Sequence, residues 1–136
     1  MVHEISDPMM TEHNNQMTIQ DRIAGAEQAI KSGRPFQAQL LLKQAVELAQ
    51  LTFGNNDSEL AAVITYLADF YSARNNFEDA EPLYRQALDV YNRTLGPKHV
   101  VTAACLHSLG ESCEKQGKFS EANTFKAQAQ AAFSSR

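Results

Sequence analysis

His107, Glu111 and Glu114 stand at i, i+4 and i+7, a spacing that puts all three on one face of a helix. An imidazole and two carboxylates so arranged could ligate a divalent metal. Such sites usually draw on more than one histidine, and this face offers one, so a solvated polar face explains the same residues with less. Cys105 and Cys113, with His99 and His107 in the same stretch, could supply a thiol nucleophile and a base. Catalytic thiols need an electropositive, partly exposed setting. Cys113 instead falls in an apolar helical pattern and is expected in the core, with Cys105 shielded near it. His99 sits where a helix should begin, and capping is its ordinary use. Glu78, Asp79 and Glu81 also cluster at a helix start, where they complement the positive end of the macrodipole. No phosphate-cradling glycine loop or nucleophile elbow is present. No catalytic residue, cofactor or metal is expected.

The composition agrees with a binding or structural role. The 136 residues suit one domain, and 43% hydrophobic residues are enough for a core. With no Trp and 8% aromatics, that core must be aliphatic and alanine-rich. Six Gly and four Pro are too few for a turn-rich β fold. The net charge is −4, with 12 basic residues scattered among 16 acids, so nucleic acid and anionic membrane surfaces are poor partners. The two cysteines, eight apart on one helix, would stand about 12 Å apart, too far for a disulfide. Free thiols, no signal-peptide pattern and no long apolar run point to a cytoplasmic protein.

The elements that must position these residues recur with a period of 42. Ile64 matches Leu106, Leu67 matches Leu109, Phe77 matches Phe119, Ala80 matches Ala122 and Ala87 matches Ala129. One step back, Gly33 matches Asn75, Ala38 matches Ala80, and Ala45 matches Ala87. Each period holds two helices with apolar residues at three- and four-residue spacing. The expected repeats cover about 18–52, 57–94 and 99–134, with residues 1–17 a polar, flexible tail. Pro82 is expected near the first turn of its helix, where a missing amide donor costs little. Pro35 takes the place of Phe77 and Phe119, which leaves the register of the first helix open by a residue. Small residues (Ala68, Gly110, Ala80, Ala122) should let paired helices approach, while Phe77 and Phe119 plug the gap beside each turn. One hairpin cannot bury its own apolar face, and stacking three makes a continuous core. In the last helix Tyr84, Leu88 and Val90 give way to Lys126, Gln130 and Ala132, which reads as a polar cap, the alternative being a fraying end that a partner chain covers.

The pattern Leu67-Ala68, Tyr71, Phe77, Ala80, Ala87, with its copy Leu109-Gly110, Cys113, Gly117, Phe119, Ala122, Ala129, resembles a tetratricopeptide repeat. The 42-residue interval, the Leu95-Gly96-Pro97-Lys98-His99 linker and Ala80-Glu81-Pro82-Leu83-Tyr84 are similar to the kinesin-light-chain subclass. The resemblance covers about residues 18 to 134, most clearly from Phe53 onward. It implies an all-α fold, a right-handed superhelical stack of three antiparallel hairpins whose first helices line a concave groove. It further implies a non-catalytic module that binds a protein or peptide segment there. The implied groove residues are Glu27, Thr65, Asp69, Ser72, His107, Glu111 and Glu114, with Lys115 at the edge and Lys31 a further candidate beside Glu27. Kinesin light chains commonly carry Asn where this chain has Thr65 and His107. Chaperone-binding relatives clamp a carboxylate with Lys, Arg and Asn. This groove carries acids instead, so the expected ligand is a neutral or basic segment. Self-association through Leu40, Leu42 and Val46 of the first hairpin is the alternative, and a homo-oligomer would follow from it. A metal- or thiol-dependent enzyme is a further, weaker alternative.

Overall fold

The structure is a computed structural model, and it describes residues 17–134. Among these, six helices and no strand are found: α1 (Ile19–Lys31), α2 (Pro35–Phe53), α3 (Ser58–Ala73), α4 (Phe77–Thr94), α5 (Val100–Lys115) and α6 (Phe119–Ser134). The expected all-α fold and its helix-pair plan are met. The polar tail lies outside the described residues apart from Met17.

Each helix pair is closed by the same device. Gly33, Asn75 and Gly117, spaced by 42, all adopt left-handed backbone, with φ of 74°, 65° and 83°. The amide of the following residue reaches back five positions. Arg34 donates to Ala29, Asn76 to Tyr71 and Lys118 to Cys113, each at 2.8 Å. These are three copies of one C-terminal capping turn, and they satisfy carbonyls that a bare helix end would leave orphaned. Asn75 is the instructive copy, since asparagine is the side chain that tolerates this conformation best after glycine. Starts are capped in kind. Thr18 and Asp21 form a reciprocal box, Asp57 accepts from the amide of Glu59 at 2.7 Å, and His99 Nδ1 accepts from the amide of Val101 at 3.0 Å.

Two compact units result, one reaching to Ala45 and the other beginning at Val46. In the first, α1 passes close to the start of α2: a methyl group on Gly25 would stand 3.2 Å from Leu41 Cδ1. Ala26 and Ala29 of α1 are buried, and Ala38 and Leu42 of α2 fully so. Ala26 lies 42 residues before buried Ala68, which fixes the register of the first repeat. In the second unit, α3 packs on α4, α4 on α5 and α5 on α6. Its core is Leu60, Ile64, Leu67 and Leu109 with Tyr84, Tyr91, Leu106 and a run of alanines.

Four details differ from the sequence reading. Pro82 lies in the second turn of α4, so the Glu78 carbonyl loses its helical donor. Both residues are exposed, and water can serve that carbonyl. Phe119 plugs nothing: it is 62% exposed, whereas Phe77 is half-buried. Leu42 is fully buried, so it cannot join Leu40 in an exposed layer. Lys126 is half-buried rather than a solvent-facing cap, because its stem covers the bare backbone of Gly110.

A methyl group on Gly110 would come 2.8 Å from Lys126 Cγ and 3.3 Å from the Ala122 carbonyl oxygen. Gly110→Val should therefore force α5 and α6 apart and cost about 2 kcal/mol or more. Urea unfolding will read this as a lower midpoint; an unchanged midpoint means the close approach is dispensable.

Candidate binding groove

A recess of about 170 Å³ opens between α3, α4 and α5. Thr65 and Asp69 line it from α3, Tyr84 and Tyr91 from α4, and Val101, Ala104, Cys105 and Ser108 from α5. The Tyr84 hydroxyl donates to Asp69 Oδ1 and lies 3.3 Å from Ser72 Oγ. Desolvation raises the Asp69 carboxyl above the usual range, and the Tyr84 bond works against that rise. Burial, then the hydrogen bond to Asp69, pushes the Tyr84 phenol upward, so it stays a donor. Among the described residues no cation pairs with Asp69. Thr65 turns its hydroxyl onto its own helix, donating to the carbonyls of Ala61 at 3.1 Å and Ala62 at 2.8 Å, which spends most of its polarity locally.

The remaining residues expected at the site fall elsewhere. His107 and Glu111 are exposed on α5 with Nε2 and Oε2 3.5 Å apart, outside the recess lining. Glu114 bonds Lys126 Nζ at 2.6 Å, and that bond holds its carboxyl below the ordinary range. Glu114 is thus a partner for α6 rather than an unpaired groove acid, and the three-residue metal face is not assembled. Glu27 is exposed on α1, in the first unit. The two tyrosines and the α5 wall were missed as site residues, because apolar helical spacing marks Tyr84 and Tyr91 simply as core. The available signal was their hydroxyl groups, since a buried phenol needs a polar partner.

The thiols are poorly placed for catalysis. Burial, with Asp69 nearby, pushes Cys105 up to about 12, and its Sγ donates to the Tyr84 carbonyl at 3.5 Å. Burial also raises Cys113, which is fully enclosed. Its Sγ lies with carboxylate oxygens of Glu81 and Glu121, all within 4.8 Å of one another. That trio resembles a metal nest, but its central carboxylate is already satisfied. Glu81 accepts from Gln116 Nε2 and Lys118 Nζ, both at 2.8 Å, and from Arg85 Nε at 2.8 Å. Arg85 also reaches Glu121 at 3.3 Å and lies 5.2 Å from the Phe125 ring centroid. Glu81 therefore does more than answer a helix dipole: it ties α4 to the turn between α5 and α6.

Helices paired through left-handed turns at a fixed interval, with an open recess between the pair α3–α4 and the helix α5, define a helical-repeat protein. The tetratricopeptide repeat family matches residues 16–92 and again 59–135, and the chain belongs to that family. Among solved structures it is similar to BtubC (BKLC) from P. vanneervenii, with a TM-score of 0.77 and 19% identity over 87% of this chain and 46% of that one. It is also similar to a Podosopora anserina putative kinesin light chain with nearly identical TPR-like repeats, with a TM-score of 0.75 and 24% identity over 84% of this chain and 54% of that one. The chain thus spans about half the length of these structures, and the kinesin-light-chain resemblance is met at the level of fold. No curated protein matches the chain.

Burial alone would raise the Glu81 carboxyl, but bonds from Lys118, Arg85 and Gln116 outweigh it and hold it at about 2. A depressed carboxyl stabilises the fold fully above the ordinary range near 4.5 and loses that stabilisation as pH falls toward 2. Glu81→Gln should cost roughly 2 kcal/mol at pH 7, after allowing for the half-exposed cations, and the gap from the native chain should close below pH 4.5. Denaturant unfolding across the acid range up to neutrality measures it; a gap that does not change with pH refutes the assignment.

Proposed function

We propose that this protein is a non-catalytic interaction module that holds an extended protein or peptide segment against the α3 and α5 faces, with a preference for neutral or basic sequence. Membership of the tetratricopeptide repeat family supports protein binding in general. The preference rests on one observation: Asp69 lines an open recess with no cation beside it. A partner segment covering that carboxylate would strip its remaining water. A positive charge in the segment offsets the loss, and an acidic one adds repulsion. Glu111, half-exposed at its side chain beside His107, extends the same sign of charge along α5. Thr65 and Ser72 add hydroxyls at the α3 side.

The buried, proton-retaining thiols weigh against a nucleophilic enzyme and suit a reducing compartment such as the cytoplasm. No described helix is long and apolar enough to cross a membrane. A homodimer through the first hairpin is the second reading. Phe36 and Leu40, one turn apart on α2 and 86% and 56% exposed, favour it, with Leu42 withdrawn from that surface. Sedimentation over a concentration series separates the two, since a dimer disrupted by Leu40→Glu supports this reading.

Peptide pools matched in length and differing in charge test the main proposal. The native chain should retain basic pools about tenfold more tightly than acidic ones, a difference near 1.4 kcal/mol. Asp69→Lys with Glu111→Lys should reverse the order. Equal retention of both pools by the native chain rejects the proposed preference.

A further inference from the structure

We propose that the recess between α3, α4 and α5 is a pocket for one lysine or arginine side chain of the bound segment, with Asp69 as its counter-charge. This deepens the groove reading and rests on it. The volume, about 170 Å³, takes one long side chain and little more. Its walls are of two kinds. Val101 and Ala104 with the Tyr91 ring offer apolar surface for a methylene stem, and both Val101 and Ala104 are exposed at the mouth. Asp69, with the hydroxyl of Ser108, gives the polar side, where a cationic tip finds acceptors. Lysine and arginine are the side chains that carry an apolar stem and a charged tip together.

Other occupants fit worse. An acidic side chain would face Asp69. A leucine or an aromatic ring would cover the carboxylate without answering its charge, and a partly desolvated anion left unpaired is costly. Among the described residues no cation answers that charge. Tyr84 gives Asp69 Oδ1 one neutral hydrogen bond, and no lysine or arginine lines the recess. The contrast with Glu81 is instructive. That carboxylate, enclosed in the same unit, is met by Lys118 and Arg85. One repeat on, Lys126 closes on Glu114 in the same way. Asp69 is the acid that lines the recess, and among the described residues no cation closes on it.

Two measurements on the full chain test the pocket. In the first, n-butylammonium, n-butylguanidinium and n-butanol are titrated while the amide resonances of Val101, Ala104 and Ser108 are followed. Both cations should shift these resonances saturably, n-butanol should do so at least about fivefold more weakly, and Asp69→Asn should abolish the difference. Ala104→Leu, which fills the exposed mouth and keeps the carboxylate, should block all three probes and guards against an unstable Asp69 variant. Equal shifts from cations and alcohol, or cation shifts that survive Asp69→Asn, overturn the proposal. In the second, peptides selected from a randomised library should carry Lys or Arg at one fixed position, with enrichment lost in Asp69→Asn. Selected peptides without that position overturn the pocket and leave the groove standing. A library that yields no binder at all counts against the groove reading, and the small-molecule titration still decides the pocket.

Discussion

Two helices can run side by side at close range only where one of them has almost no side chain in the way. Ala26, Ala68 and Gly110 meet this need at one position of the repeat, and Ala38, Ala80 and Ala122 at another, all of them buried. The left-handed turn then fixes which residues meet, because each lies five residues before the alanine of the following helix. Larger side chains at either position would separate the pair, and the apolar stripes beyond would lose their partners. The helical ladders, the aliphatic core and the recess between hairpins all presuppose that spacing.

Charge is handled in two opposite ways around this frame. Glu81 is buried but met by three donors, one on α4 and two in the turn after α5, and burial with full pairing makes it a positional tie. A carboxylate enclosed without partners would weaken the fold. Asp69 sits on α3 at the border of the solvent and receives a neutral phenol only. One carboxylate serves the architecture, and the other lines the recess with one phenol hydrogen bond.

The repeating part of this arrangement was open to sequence reading. Period, helix pairing, turn positions and the capping role of His99 all follow from residues that recur or terminate helices locally. Non-repeating contacts were not legible. Glu81 aligns with Asn123 one repeat later, so nothing periodic announces its partners Gln116 and Lys118. Phe119 copies Phe77 in sequence but not in burial, because exposure depends on what packs beyond a repeat, which the repeat itself does not encode. Of the recess lining, Thr65 and Asp69 follow from the first-helix face alone. The second-helix tyrosines behind them do not, since spacing shows that a residue points inward but not that its hydroxyl emerges at the far side.

Ser72 meets Tyr84 across twelve residues, and one period later Glu114 meets Lys126 across the same twelve. A hydroxyl pair in one copy has become an ion pair in the next, and the backbones around them keep the same turn and the same small-residue contact. Each repeat therefore behaves as a numbered socket whose fitting can be exchanged singly. A neutral pair can give way to a charged one at such a socket while the turn and the small-residue contact that hold it stay as they are.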